Sequence, residues 1–225
     1  MLLGALDWLG HAGFRLSTGR HTVYIDPYRT PEGPPADVIC ITHGHFDHYS
    51  PADVERLRHD RTLVVAPPAV AERIRGRVVS IAPGEVIEPE DAVRGLAIGA
   101  VAAYNTSKRD SEGRLYHPRE AGGVGFVLNV RGERLYHSGD TDVVPEMDDV
   151  AGVDVALLAV SGKYVMTAGE AAEAARRIQP GVAVPMHWGE PLGSAEEARA
   201  FARQAPGHVA VLPRAAGPAP ALAGG

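Results

Sequence analysis

Residues 42–48 read Thr42-His43-Gly44-His45-Phe46-Asp47-His48, so three imidazoles and one carboxylate fall within six positions. His43 and His45 flank Gly44, and in an extended turn both side chains can face one ion. Asp47 and His48 lie one turn further on, which lets a single loop serve two ions. Mixed nitrogen and carboxylate donors suit borderline divalent metals such as zinc, iron or manganese, and the absence of thiolates argues against a closed structural zinc site. Such a loop is costly in buried polar groups unless something coordinates them.

The remaining composition narrows the class. The chain has 225 residues with 22 basic and 28 acidic side chains, a net charge of −6, and no Lys/Arg run able to neutralise a row of phosphates. Nucleic-acid binding is disfavoured. A chain of this length buries enough surface to fold without a metal, so a metal site here serves chemistry. Cys40 is the one cysteine, which excludes an internal disulfide and suits a reducing compartment. The first residues lack a basic segment ahead of an apolar core, and no apolar run reaches the roughly 20 residues of a membrane span. A soluble, cytoplasmic protein acting on a small molecule, without nucleic-acid or membrane partners, is the expectation; oligomeric state is not legible.

Elements must position the histidine loop. Segments 14–17 and 21–25 around Gly19 read as a hairpin, and 37–41 reads as a strand buried on both faces that feeds the loop. Ser50-Pro51-Ala52-Asp53 opens a helix to about residue 58. A strand at 63–66 follows, and 73–99 suggests short strands between Pro/Gly turns. Segments 124–130 and 133–137 form a second hairpin, and 153–160 is another buried strand. Thr167-Ala168-Gly169-Glu170 caps an alanine-rich helix that stops at Pro180; after a strand at 182–185, Ser194-Ala195-Glu196-Glu197 caps the last helix. Strand groups followed by helices, twice, predict an α/β (α+β) four-layer αββα sandwich. Residues 1–213 are read as one domain and 214–225 as a disordered tail.

The loop, together with Trp8-Leu9-Gly10-His11-Ala12-Gly13, Ile25-Asp26-Pro27, Ser138-Gly139-Asp140-Thr141-Asp142 and Pro185-Met186-His187-Trp188-Gly189, resembles the metallo-β-lactamase superfamily of metal-dependent hydrolases, especially its small members similar to ascorbate-6-phosphate lactonase. The resemblance implies that His43 and His45 hold a first metal, that Asp47, His48 and His187 hold a second, and that Asp140 bridges them. A histidine is usual near 101–105, where this chain has Val101-Ala102-Ala103-Tyr104-Asn105. An amide such as Asn105 binds these metals weakly. The replacement is His117, whose other readings are a substrate contact or an ordinary loop histidine. His11 is either a support for the ligands or a buried hydrogen-bonded histidine, His137 is structural, and His21, His59 and His208 face solvent.

Two divalent ions, zinc first and manganese or iron as alternatives, would acidify a shared water to hydroxide near neutral pH and polarise the bond under attack. Asp47 orients the attack and carries a proton to the leaving group. Tyr104, at the mouth of the site by the same resemblance, either donates to a developing oxyanion or is simply packed. The segment 105–120, with Lys108, Arg109, Arg114 and Arg119, either receives an anionic substrate group or is a solvated charged face. The expectation is hydrolysis of an ester, lactone or phosphodiester; the alternatives are an iron-dependent oxidoreductase and a metal-stabilised binding protein without turnover.

Overall fold

Alternation along the strands builds the layers. The computed structural model describes residues 2–19 and 21–216. β1 (Leu6–Gly10), β2 (Gly13–Ser17) and β3 (Thr22–Ile25) form an antiparallel meander, and β4 (Val38–Cys40), β5 (Leu63–Ala66) and β6 (Val78–Ser80) extend it as parallel strands. In the second sheet β7 (Val86–Ile87), β8 (Leu96–Ala102), β9 (Val124–Val130) and β10 (Glu133–His137) run antiparallel in series, and β11 (Val155–Ala159) and β12 (Val182–Met186) join parallel to β10. The spatial orders are β1-β2-β3-β4-β5-β6 and β12-β11-β10-β9-β8-β7.

Successive residues of the inner strands enter different cores, as the period of two requires. Val23, Ile25, Val38, Cys40 and Val65 meet Phe126, Leu128, Leu135, Leu157 and Val184 between the sheets. Tyr24, Ile39, Ile41 and Val64 face the other way, against Val54 and Leu57 of α1 (Pro51–Leu57) and Val70 of α2 (Pro68–Ala71). On the far side, Tyr136, Ala156, Leu158 and Ala183 pack with the alanines of α3 (Ala168–Ile178) and Phe201 of α4 (Ala195–Gln204). The order helix, sheet, sheet, helix is the expected sandwich.

The caps are those read from sequence. Ser50 accepts from the Asp53 amide, and Thr167 with Glu170 and Ser194 with Glu197 form capping boxes. β1 and the single-turn α2 were not anticipated: a register shift between Trp8 and Gly10 breaks the alternation of β1, and the four residues of α2 barely exceed one helical turn. The ordered chain also runs past 213: Arg214 Nε donates to the Leu9 carbonyl at 2.8 Å, and the Ala215 amide to the Trp8 carbonyl at 2.7 Å. Of the expected tail, residues 217–225 lie outside the described residues. Among the described residues no helix is long and apolar enough to cross a membrane.

Two outcomes test this packing. Phe126 is fully buried between the sheets, so Phe126→Ala should lower unfolding free energy by about 3–5 kcal/mol in chemical denaturation. Burial pushes the Cys40 thiol far up, so a thiol-specific reagent should leave the native protein unlabelled and titrate one thiol per chain after denaturation.

Candidate metal centre

Most residues of the centre sit just past the carboxyl end of a strand: His11 after β1, Asp26 after β3, 42–48 after β4, Asn105 after β8, Asp140 after β10 and His187 after β12, while His117 comes from the long loop between β8 and β9. Strand ends from both sheets therefore open onto one crevice. Gly139 makes the turn at β10 possible, because its φ is +59° and a Cβ there would lie 2.6 Å from the Val124 carbonyl oxygen.

Three ring nitrogens converge on one side. His45 Nδ1 lies 3.0 Å from His43 Nε2 and 3.0 Å from His117 Nε2. Nitrogens bound to a common ion at about 2.0–2.1 Å sit roughly 3.3 Å apart, so the spacing fits a shared metal. Two of the opposite nitrogens are engaged. His43 Nδ1 lies 3.0 Å from Thr42 Oγ1. His117 Nδ1 donates to Asn105 Oδ1 at 2.9 Å, while the Asn105 amide nitrogen donates to Asp142 Oδ1 and the Tyr164 carbonyl, which fixes the amide's orientation. Asn105 thus orients His117 and is not itself a donor to the ion. Asp142 in turn accepts from the Thr106 and Ser107 amides, each at 2.8 Å, and holds the segment in place.

A second group lies alongside. Asp47, His48 and His187 come together with His11, each offering an atom within 4.8 Å of the others. His48 Nδ1 donates to Asp26 Oδ2 at 2.6 Å, and Asp26 also accepts from the Thr42 amide and hydroxyl. His187 Nδ1 pairs with Ser161 Oγ at 2.8 Å. Asp140 stands between the groups: the Nε2 atoms of His48, His187, His117 and His43 lie 3.1, 3.2, 3.3 and 3.9 Å from its carboxylate oxygens.

His48 Nε2, His187 Nε2 and Asp140 Oδ1 are buried without a hydrogen-bond partner. The 3.1 Å approach of His48 to Asp140 lacks hydrogen-bond alignment. Orphaned polar atoms of this kind cost about 1–3 kcal/mol each, and their convergence on shared space is what cations would relieve. The residues present therefore fit divalent metal ions.

Electrostatics follow from burial and contact. Burial opposes ionisation of Asp140, but His187 and His48 outweigh it and hold its carboxyl well below the usual range. Burial also works against Asp47, and the hydrogen bond from His11 Nε2, 2.9 Å from Oδ2, followed by the charge of His48, brings it down to about 2. Burial lowers His11 to about 4 and so keeps it neutral. His48 is likewise opposed by burial, yet Asp140 and Asp26 raise it well above 6.5.

The structure brings together His43, His45, Asp47, His48, His117, Asp140 and His187. Tyr104 is a correction: Ala103 lines the cavity and Asn105 reaches His117, so the residue between them points away. Its hydroxyl donates to Glu146 Oε2 at 3.1 Å and its ring packs in the core behind the second sheet, with the Arg119 guanidinium 4.9 Å above it. The phenols that do line the crevice are Tyr116 and Tyr164, with ring centroids 4.7 Å apart. Tyr116 stands beside His117 in sequence, whereas Tyr164 carried no signal.

The cations of 105–120 are likewise engaged within the protein. Lys108 meets Glu170 at 2.7 Å, Arg114 meets Asp110 at 2.9 Å and Arg119 meets Glu146 at 2.6 Å, while Arg109 donates to the Gly113 carbonyl at 2.7 Å. The anion-receiving reading of this segment is set aside. His11 is buried and hydrogen-bonded to Asp47, an arrangement that both of its readings describe. His137 donates to the Ala12 carbonyl at 2.9 Å and is structural as expected.

Removing either support tests this arrangement. Asn105→Ala and Asp26→Asn should each weaken zinc binding about 10–100-fold in a chelator-competition titration, the first through His117 and the second through His48. Zinc must also displace the proton that the raised His48 holds in the metal-free protein. Affinity should therefore rise with pH through neutrality, about tenfold per pH unit for one displaced proton, and competition titrations on either side of neutrality would read the slope.

Comparison with known proteins gives the family and the fold. Residues 5–187 match the family described as β-lactamase superfamily domain. A UPF0173 metal-dependent hydrolase of Thermoplasma acidophilum is 34% identical over 196 residues, covering 80% of this chain and 81% of the relative. A solved structure from Parabacteroides distasonis, named as a metal-dependent hydrolase, superposes with a TM-score of 0.77 at 30% identity, covering 92% of this chain and 91% of that one. A diiron β-hydroxylase of Streptomyces venezuelae shares the fold alone, with a TM-score of 0.71 at 14% identity, covering 92% of this chain and 52% of that one.

Proposed function

Since this chain belongs to the β-lactamase superfamily domain family and is a metal-dependent hydrolase akin to the UPF0173 proteins, we propose that it holds two divalent ions, zinc first, and cleaves an ester, lactone or phosphodiester bond of a small anionic molecule. The observation that carries this reading is Asp140. Its carboxylate touches histidines of both ligand groups, which suits a bridge between two ions.

In this reading His43, His45 and His117 hold the first ion, Asp47, His48 and His187 the second, and Asp140 both. Ions bound there supply Lewis acidity and acidify water near neutral pH. Asp47 begins ionised because His11 and His48 hold its carboxyl at about 2, so it accepts a proton before it can return one to the leaving group. His11 keeps that carboxylate oriented through Nε2. Tyr116, Tyr164, Phe46 and Leu192 line a cavity of about 260 Å³ beside Asp47 and His187; their apolar surface excludes water and receives the apolar part of a small substrate. Tyr104 takes no part.

The test is turnover by the metal-reconstituted protein on a panel of lactones, esters, thioesters and phosphodiesters, with metal content measured before and after chelation. About two ions per chain should accompany hydrolysis of at least one class. Asp140→Ala should lower kcat/KM by at least about a thousandfold while Tyr104→Phe changes it less than about threefold. Full metal loading with no turnover on any class would favour a binding protein. Iron with an oxygen-dependent reaction would overturn hydrolysis.

A further inference from the structure

A second cavity, of about 290 Å³, opens onto His43, His45, His117 and Asp140, and its wall carries a cation that the ligand set does not use. That residue is Arg73, two positions beyond α2. Its guanidinium carbon lies 4.8 Å from the centre of the Tyr49 ring, a cation–π contact that restrains a long side chain. It also rests against the histidine loop. A Cβ built on Gly44 would lie 3.0 Å from Arg73 Nη1 and 3.5 Å from Val70 Cγ2, so the guanidinium rests close against the loop backbone beside His43 and His45, and a side chain at 44 would press on it.

Among the described residues no ion pair or hydrogen bond engages the Arg73 guanidinium, in contrast to Lys108, Arg114 and Arg119, which meet acids of their own. Arg73 is the sole Lys or Arg among the residues lining this cavity or the neighbouring one. Much of the nearby wall is apolar, with Pro67, Val70 and Val124. An arginine so placed, exposed at the cavity wall, presents five N–H donors in a planar fork suited to bidentate contact with carboxylate or phosphate oxygens.

We propose that Arg73 is the specificity-determining residue that receives the substrate's anionic group, a carboxylate or a phosphate ester. The position of the scissile bond at the histidine–aspartate cluster rests on the hydrolase reading above; the anion contact itself does not. The acyl or phosphoryl portion then lies between Arg73 and the cluster, and the leaving portion points to the Phe46 and Tyr164 side.

Isothermal titration of the zinc-saturated protein with inorganic phosphate and with glutarate decides it, using wild type, Arg73→Ala and Arg73→Lys. Arg73→Ala should weaken at least one anion by about tenfold or more with zinc content unchanged, and Arg73→Lys should recover part of the loss. The anion more affected distinguishes a phosphate from a carboxylate substrate. Equal affinities of wild type and Arg73→Ala for both anions, or no binding of either to wild type at about 10 mM, would overturn the proposal. Arg73-dependent binding without turnover on the substrate panel would sink the hydrolase reading and leave this one standing; turnover with Arg73-independent binding would do the reverse.

Discussion

The buried charge of Asp140 governs this molecule. Four imidazole Nε2 atoms lie within 3.9 Å of its carboxylate oxygens, and Oδ1 has no hydrogen-bond partner. A dehydrated carboxylate is sustained only by charge or donors supplied at close range. That requirement dictates how the neighbouring rings are held. His48 is tied through its far nitrogen to Asp26, His117 to Asn105 and His187 to Ser161. Each support occupies Nδ1 and turns Nε2 toward Asp140, so the inward nitrogens either carry a proton toward the carboxylate or, once deprotonated, are free to bind a cation.

Holding that many polar groups in a dry crevice demands rigid backbone from both sheets. β1 and β12 are edge strands of different sheets, and they are clamped where the site opens: Trp8 stacks on Trp188 with centroids 4.3 Å apart, and the His11 carbonyl accepts from both the Trp8 indole and the His187 amide. His11, Asp26 and His187 adopt positive φ of 53°, 45° and 58°. Such backbone is unfavourable for residues bearing a Cβ, and it persists where surrounding contacts over-determine it. The strain lies in the very turns that aim the cluster.

The crevice is asymmetric around that cluster. One flank is aromatic and apolar, and the other places the Arg73 guanidinium beside the histidine loop. The ligand geometry sets which bond chemistry is available, while these flanks set which molecule is held for it.

The strand–loop–helix unit around His43 to His48, the paired hairpins, the capped helices and the four-layer order were legible because each depends on local spacing: period-two burial, cap residues at fixed offsets, and donors packed into one loop. β1 and α2 were not, because a register shift breaks the alternation of β1 and α2 spans a single turn. The roles of Asn105 and Tyr104 depended on which way consecutive side chains face after β8, and residues one apart look alike in sequence while pointing to opposite sides of a sheet. The pairing of loop cations with Glu170 and Glu146, and the seating of Arg73 on Gly44, join segments 27 to 62 positions apart. Sequence alone determined the donor chemistry, since residue type fixes what can bind a metal. Only the tertiary structure decided which donors converge, which cations are already neutralised and which one is left facing the cavity, because those outcomes depend on distances of a few ångströms between strand ends that the chain order does not encode.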